Sequence, residues 1–77
     1  MNNTNAIKTI NKIVENKQHE KIHGVIVDLF TASLIQQVYN ALGKENKIKM
    51  NHSMSENSDG LIRITKICNT IKIRLHR

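Results

Sequence analysis

Five residues of the chain spell a pattern with catalytic potential: His19-Glu20-Lys21-Ile22-His23 reads H-E-x-x-H. On a helix, two imidazoles at that spacing can hold a zinc ion, and the carboxylate between them can activate its water. Glu45, 22 residues past His23, would be the third ligand. The neighbouring residues argue against such a centre. Lys17, Gln18, Lys21 and Gly24 describe a solvated helix end, and Lys21 would set a positive charge beside a dication. A chain of 77 residues also lacks the bulk to wall a substrate cleft of roughly 300 Å³ or more. His19, Glu20 and His23 are therefore set aside as metal ligands, and no cofactor is expected. His19, Lys21 and His23 read instead as a polar last turn facing the negative end of a helix dipole.

Nucleophilic chemistry has no better footing. Cys68 falls on an apolar seam, where a small buried thiol is the ordinary explanation. Ser53, Ser55 and Ser58 sit among polar residues with no recognisable elbow, and Gly24, Gly43 and Gly60 are isolated, so no phosphate-cradling loop is legible. The expectation is a protein without catalytic residues. One Cys excludes an internal disulfide framework and points to a reducing compartment. The longest apolar run is Val25 to Val27, and Met-Asn-Asn-Thr-Asn lacks the basic start and apolar stretch of a signal peptide. The sequence thus reads as neither secreted nor membrane-bound.

Charge carries more information than any motif. There are 12 Lys and Arg against 6 Asp and Glu, a net charge of +6. Residues 1–43 hold four Lys and three acids, 44–59 three and three, and 60–77 five basic groups and no acid. On a helix, Arg63, Lys66, Thr70, Arg74 and Arg77 fall within about 80° of one another. Such a stripe could follow phosphates, so Arg63, Lys66, Arg74 and Arg77 are candidate nucleic-acid contacts. No aromatic platform for stacking on single strands accompanies them, since Phe30 and Tyr39 are expected in the core.

The elements that must position these residues follow from periodicity. Val, Ile, Leu and Phe make up 22 of 77 residues, above the roughly 20% floor for a folding chain. Ala6, Ile7, Ile10, Ile13 and Val14 keep helical spacing, which predicts a helix over 5–20 capped by Thr4 or Asn5, with 1–4 flexible before it. Val25–Val27 reads as a short extended piece. Leu34, Ile35, Val38, Ala41 and Leu42 share one face of a helix over 29–42, capped by Asp28 or Thr31. Gly43 is expected to end that helix in the left-handed conformation. A weaker helix over 45–55 carries Met50 and Met54, with Ile48 off the stripe. Leu61, Ile64, Cys68, Ile71 and Leu75 form a helical seam over 61–76, although Ile71 to His76 also alternates as a strand would. Helix is preferred there, because Val25–Val27 alone offers a strand little to pair with. A helix-turn-helix centred on Gly43 fails, because Lys49 and His52 fall where apolar residues are needed. The fold class expected is all-α, three or four short helices in one small domain.

The run from Val27 through Leu42, with Asn46-Lys47-Ile48-Lys49-Met50 after it, resembles a family of small uncharacterised proteins of tailed bacteriophages. Those proteins read D-x-x-T-A-x-x-I-x-x-V-Y-x-A-L, then N-x-x-K-(F/M), then a Gly-led C-terminal helix. The resemblance spans about residues 22–70, with Ile35, Val38, Tyr39 and Leu42 at its core positions and Asp28 and Thr31 at its helix start. Residues 71–77 depart from it, being more β-branched and more basic. What the resemblance implies is a helical phage protein, located in the virion or the host cytoplasm.

Two functions are then expected. The first is association with other phage proteins or with itself, as a virion or assembly component, through Ile62, Ile67 and Ile73, which lie off the seam of the last helix. The alternative is an accessory protein that contacts DNA phosphates through the basic stripe without reading bases.

Overall fold

The computed structural model describes residues 5–75, with side chains as far as Ile71. The expected flexible start at 1–4, and the last two residues of the predicted basic and helical C-terminus, lie outside the described residues. In chain order the elements are α1 (Ala6–Asn16), β1 (Glu20–Ile22), β2 (Val25–Val27), α2 (Leu29–Ala41), α3 (Lys44–Glu56) and α4 (Ser58–Leu75). The four helices form a ring: α1 packs on α2 and α3, and α4 closes it against the same two. The protein is all-α apart from a two-stranded hairpin.

Helix α1 begins where Asn5 leaves the helical conformation and its side chain accepts the Lys8 N–H at 3.4 Å. It ends four residues before the expected boundary. Lys17 adopts a left-handed conformation (φ 56°), and the Gln18 N–H reaches back to the Ile13 carbonyl at 3.3 Å. That wrap-around bond terminates a helix as a glycine usually does. Residues 18–20 are therefore not its last turn.

The chain released there forms an antiparallel hairpin in which Glu20, Lys21 and Ile22 pair with Val27, Ile26 and Val25. A two-residue loop joins the strands, with positive φ at both His23 (53°) and Gly24 (77°), which suits the right-handed twist of a tight hairpin. Period-two alternation buries Ile22 and Val27 and turns Lys21 and Ile26 outward. Val25–Val27 thus finds its partner immediately upstream.

Asp28 caps α2, its carboxylate accepting the Thr31 N–H at 2.8 Å. The end of α2 departs from expectation at Gly43, which is not left-handed (φ −71°) and instead stands as the N-cap of α3. Leu42 is extended, with its N–H on the Tyr39 carbonyl, so α3 begins without a left-handed turn. Asn57 then caps α4 by accepting the Gly60 N–H at 2.8 Å. Residues 58–60 are thus the first turn of a helix that starts three residues before the predicted 61. Gly60 permits this because a Cβ there would collide with the Ser53 carbonyl of α3.

Inside the ring, Ile10, Ile13, Ile35, Met54, Leu61 and Cys68 are fully buried, each large aliphatic side chain contributing about 1.5–3 kcal/mol by leaving water. Tyr39 is partly buried against this core. Phe30 is not part of it: expected inside, it is 58% exposed. The stripe of Leu34, Ile35 and Val38 faces inward, and Phe30 lies about 100° round the helix from its centre.

Candidate functional site

The histidine pattern does not assemble. Because α1 stops at Asn16, His19 to His23 run through β1 and the hairpin loop, and the two imidazoles share no helical face. His19 is exposed. Glu20 lies 3.7 Å from the Lys12 ammonium. The His23 Nε2 is 3.0 Å from the Met54 carbonyl and ties the hairpin loop to α3. Among the described residues, no three His, Cys, Asp or Glu side chains are grouped to hold a metal ion. The polar last turn expected of His19, Lys21 and His23 is likewise replaced by a strand and its loop.

Cys68 lies within the core, and burial pushes its thiol up to about 11. A thiol so placed is protonated at neutral pH and is a poor nucleophile. Ser55 has a structural task instead. Its hydroxyl accepts the Ala6 N–H at 2.8 Å, and the Asn51 Oδ1 beside it accepts the Ile7 N–H at 2.9 Å. The Asn51 amide donates to Asn5 at 3.0 Å, and the Ser55 hydroxyl to Asn51 at 3.2 Å. Two side chains of α3 thereby satisfy the free N–H groups at the start of α1, which Asn5 alone cannot cover. Nothing in the sequence pairs these positions, since the bonds span 44 and 49 residues.

The surface of α4 is built differently. Leu61 and Cys68 face the core with Ile64 packed against it, and the opposite side carries Asp59, Ile62, Arg63, Lys66, Ile67 and Thr70, all exposed. At about 100° per residue these form two rows at i, i+4 spacing: Asp59, Arg63 and Ile67 in one, Ile62, Lys66 and Thr70 in the other. Each row holds one isoleucine and one cation, in opposite order. Ile62 is 40% exposed and Ile67 47%. Among the described residues the one ion pair is Lys12–Glu20, so neither Arg63 nor Lys66 is held in an ion pair. The side chains of Ile73 and Arg74, and Arg77 as a whole, lie outside the described residues.

Other apolar side chains reach the surface. Ile48 on α3 is 62% exposed, as its place off the methionine stripe predicts, and Lys49 and His52 beside it are exposed too. Ile26, Leu29 and Phe30, near one another in sequence where the hairpin leads into α2, are exposed as well. Sequence reading missed these three, though their signal was present. The β-branched triplet Val25-Ile26-Val27, with Ile22 on the other side of His23-Gly24, describes a hairpin whose middle residue Ile26 points outward, and the helical wheel of α2 puts Leu29 and Phe30 off the inner stripe.

No helix among the described residues is long and apolar enough to cross a membrane. No family model, curated protein or solved structure matches the chain.

Proposed function

We propose that the chain is a small non-catalytic phage protein acting by protein–protein association, as a virion or assembly component. The observation carrying this reading is the set of large apolar side chains on the surface of so small a domain: Ile26, Leu29, Phe30, Ile48, Ile62 and Ile67. Single exposed apolar residues are ordinary, but groups of them are what association buries. The phage context rests on the resemblance of residues 27–50. Sedimentation velocity of the purified chain, together with crosslinking in cells that make it, tests the reading. It expects a discrete larger species in at least one of the two, diminished in Ile62→Ser/Ile67→Ser. A monomer in both is the result against it.

A second reading is supported by Arg63 and Lys66, exposed on one face of α4 and held in no ion pair. In that reading the chain is a basic accessory protein that contacts DNA phosphates through Arg63, Lys66, Arg74 and Arg77. Titration of labelled duplex DNA at about 50 and 200 mM salt tests it. Saturable binding that falls steeply with salt and disappears in Arg63→Ala/Arg74→Ala/Arg77→Ala supports it, and absence of binding at the lower salt removes it.

A further inference from the structure

We infer that the outer face of α4 docks an acidic amphipathic helix from a different protein, seated in the groove between its two exposed rows. The inference rests on the association reading and names the surface and the chemistry of the partner.

The groove has a defined composition. Ile62 and Ile67 stand on opposite rows, five residues apart, or about 7.5 Å along the axis. Arg63 and Lys66 stand on the other diagonal. A helix laid between rows at i, i+4 spacing packs its own ridge into that groove. It would place apolar residues against the two isoleucines and carboxylates against the two cations. Neither cation is held in an ion pair, and beyond Asp59, which stands one turn before Arg63, residues 60–77 carry no acid. Asp59 marks the end of the groove nearest the α4 N-terminus.

Three other occupants fit less well. A second copy of this chain, packed face to face about a two-fold axis, would bring Arg63 and Lys66 against their own counterparts. The chain's charge of +6 adds to that repulsion. A membrane surface would require the isoleucines on one side of α4 and the cations on the other, whereas here they alternate across the same face. A nucleic-acid backbone would use the cations but leave Ile62 and Ile67 against phosphate and sugar. A partner helix bearing both carboxylates and apolar side chains uses all four residues.

The test is fluorescence anisotropy with a labelled helical peptide that carries Leu along one stripe and Glu on both sides of it. A twin with Gln for every Glu, and labelled duplex DNA, serve as comparison probes. Circular dichroism verifies that each variant keeps its fold, as substitutions at exposed positions should. Saturable binding of the Glu peptide is expected, at least roughly tenfold tighter than that of the Gln twin. It should weaken by a similar factor in Arg63→Glu/Lys66→Glu and in Ile62→Ser/Ile67→Ser. Equal binding of the two peptides, no binding of either, or no effect of Ile62→Ser/Ile67→Ser overturns the inference. DNA binding tighter than that of the peptide, lost on charge reversal but indifferent to the isoleucines, overturns it in favour of phosphate. If the peptide fails while sedimentation or crosslinking still shows a larger species, only the assignment to α4 falls. If those fail as well, the association reading falls with it.

Discussion

Individual side chains here act mainly as closures for helix ends. Asp28 is the clearest case: the Thr31 backbone N–H, then its side chain, holds the carboxyl below its ordinary value of 3.8. A carboxyl so lowered stabilises the fold while ionised. That contribution is complete above the unfolded value and is lost as pH falls through the lower folded one. Asp28→Ala should therefore cost about 1 kcal/mol at neutral pH. Asp28→Asn should keep most of the cap and remove its acid sensitivity, which denaturant melts between neutral and strongly acidic pH will separate. Asn51 serves α1 in a similar way. Asn51→Leu would leave the Ile7 N–H and the Asn5 side chain without their partner, a loss of about 1–3 kcal/mol, measurable by thermal melting. Cys68 is inert for the opposite reason, having no water near it. Alkylation at neutral pH should be slowed about a hundredfold or more relative to a free thiol and restored by denaturant. Rapid modification of the native protein would place Cys68 outside the core.

Between elements, the tightest constraint is the approach of α4 to α3 at Gly60. A methyl group there meets the Ser53 carbonyl, which is backbone and cannot rotate away. Gly60→Ala is thus expected to cost about 1–3 kcal/mol by forcing the helices apart. Gly43 offers the contrast, with an ordinary φ and open space around it. As an N-cap without a side chain, it should accept Ser with a gain of about 0.3 kcal/mol. Denaturant melts of the two variants give the comparison, and equal tolerance would mean that α3 and α4 are not in contact there. The hairpin is held at both ends, by Ile22 and Val27 in the core and by His23 on the Met54 carbonyl. Its three-residue strands could not persist alone.

At the scale of the molecule, one small core supports four helices. A domain of this size draws only about 3–5 kcal/mol of net stability from its core. Leu61→Ala, which empties a fully buried position, should cost about 2–5 kcal/mol and leave the chain largely unfolded by circular dichroism. Ile62→Ser, on the next residue but facing outward, should stay within about 0.5 kcal/mol. That difference is what makes the outer face of α4 free to serve a partner. Among the described residues no buried polar side-chain atom lacks a hydrogen bond.

Periodicity alone determined the four helices, the seam of Leu61 and Cys68 and the outward set of Ile62, Arg63, Lys66 and Ile67, because the direction of a side chain on a helix depends only on its place in the turn. The caps were legible to within a choice of two, Thr4 or Asn5 and Asp28 or Thr31, because a cap is a bond across three residues; the structure takes Asn5 and Asp28. The tertiary structure decided the rest. Lys17 takes a left-handed conformation that its residue type does not announce, and so turns the apparent zinc motif into a hairpin. Asn51 and Ser55 serve a helix some 44 to 49 residues away. Gly60 is needed because another helix passes over it. These depend on which segments meet, and a chain's local preferences do not encode contacts made only when distant segments share a core.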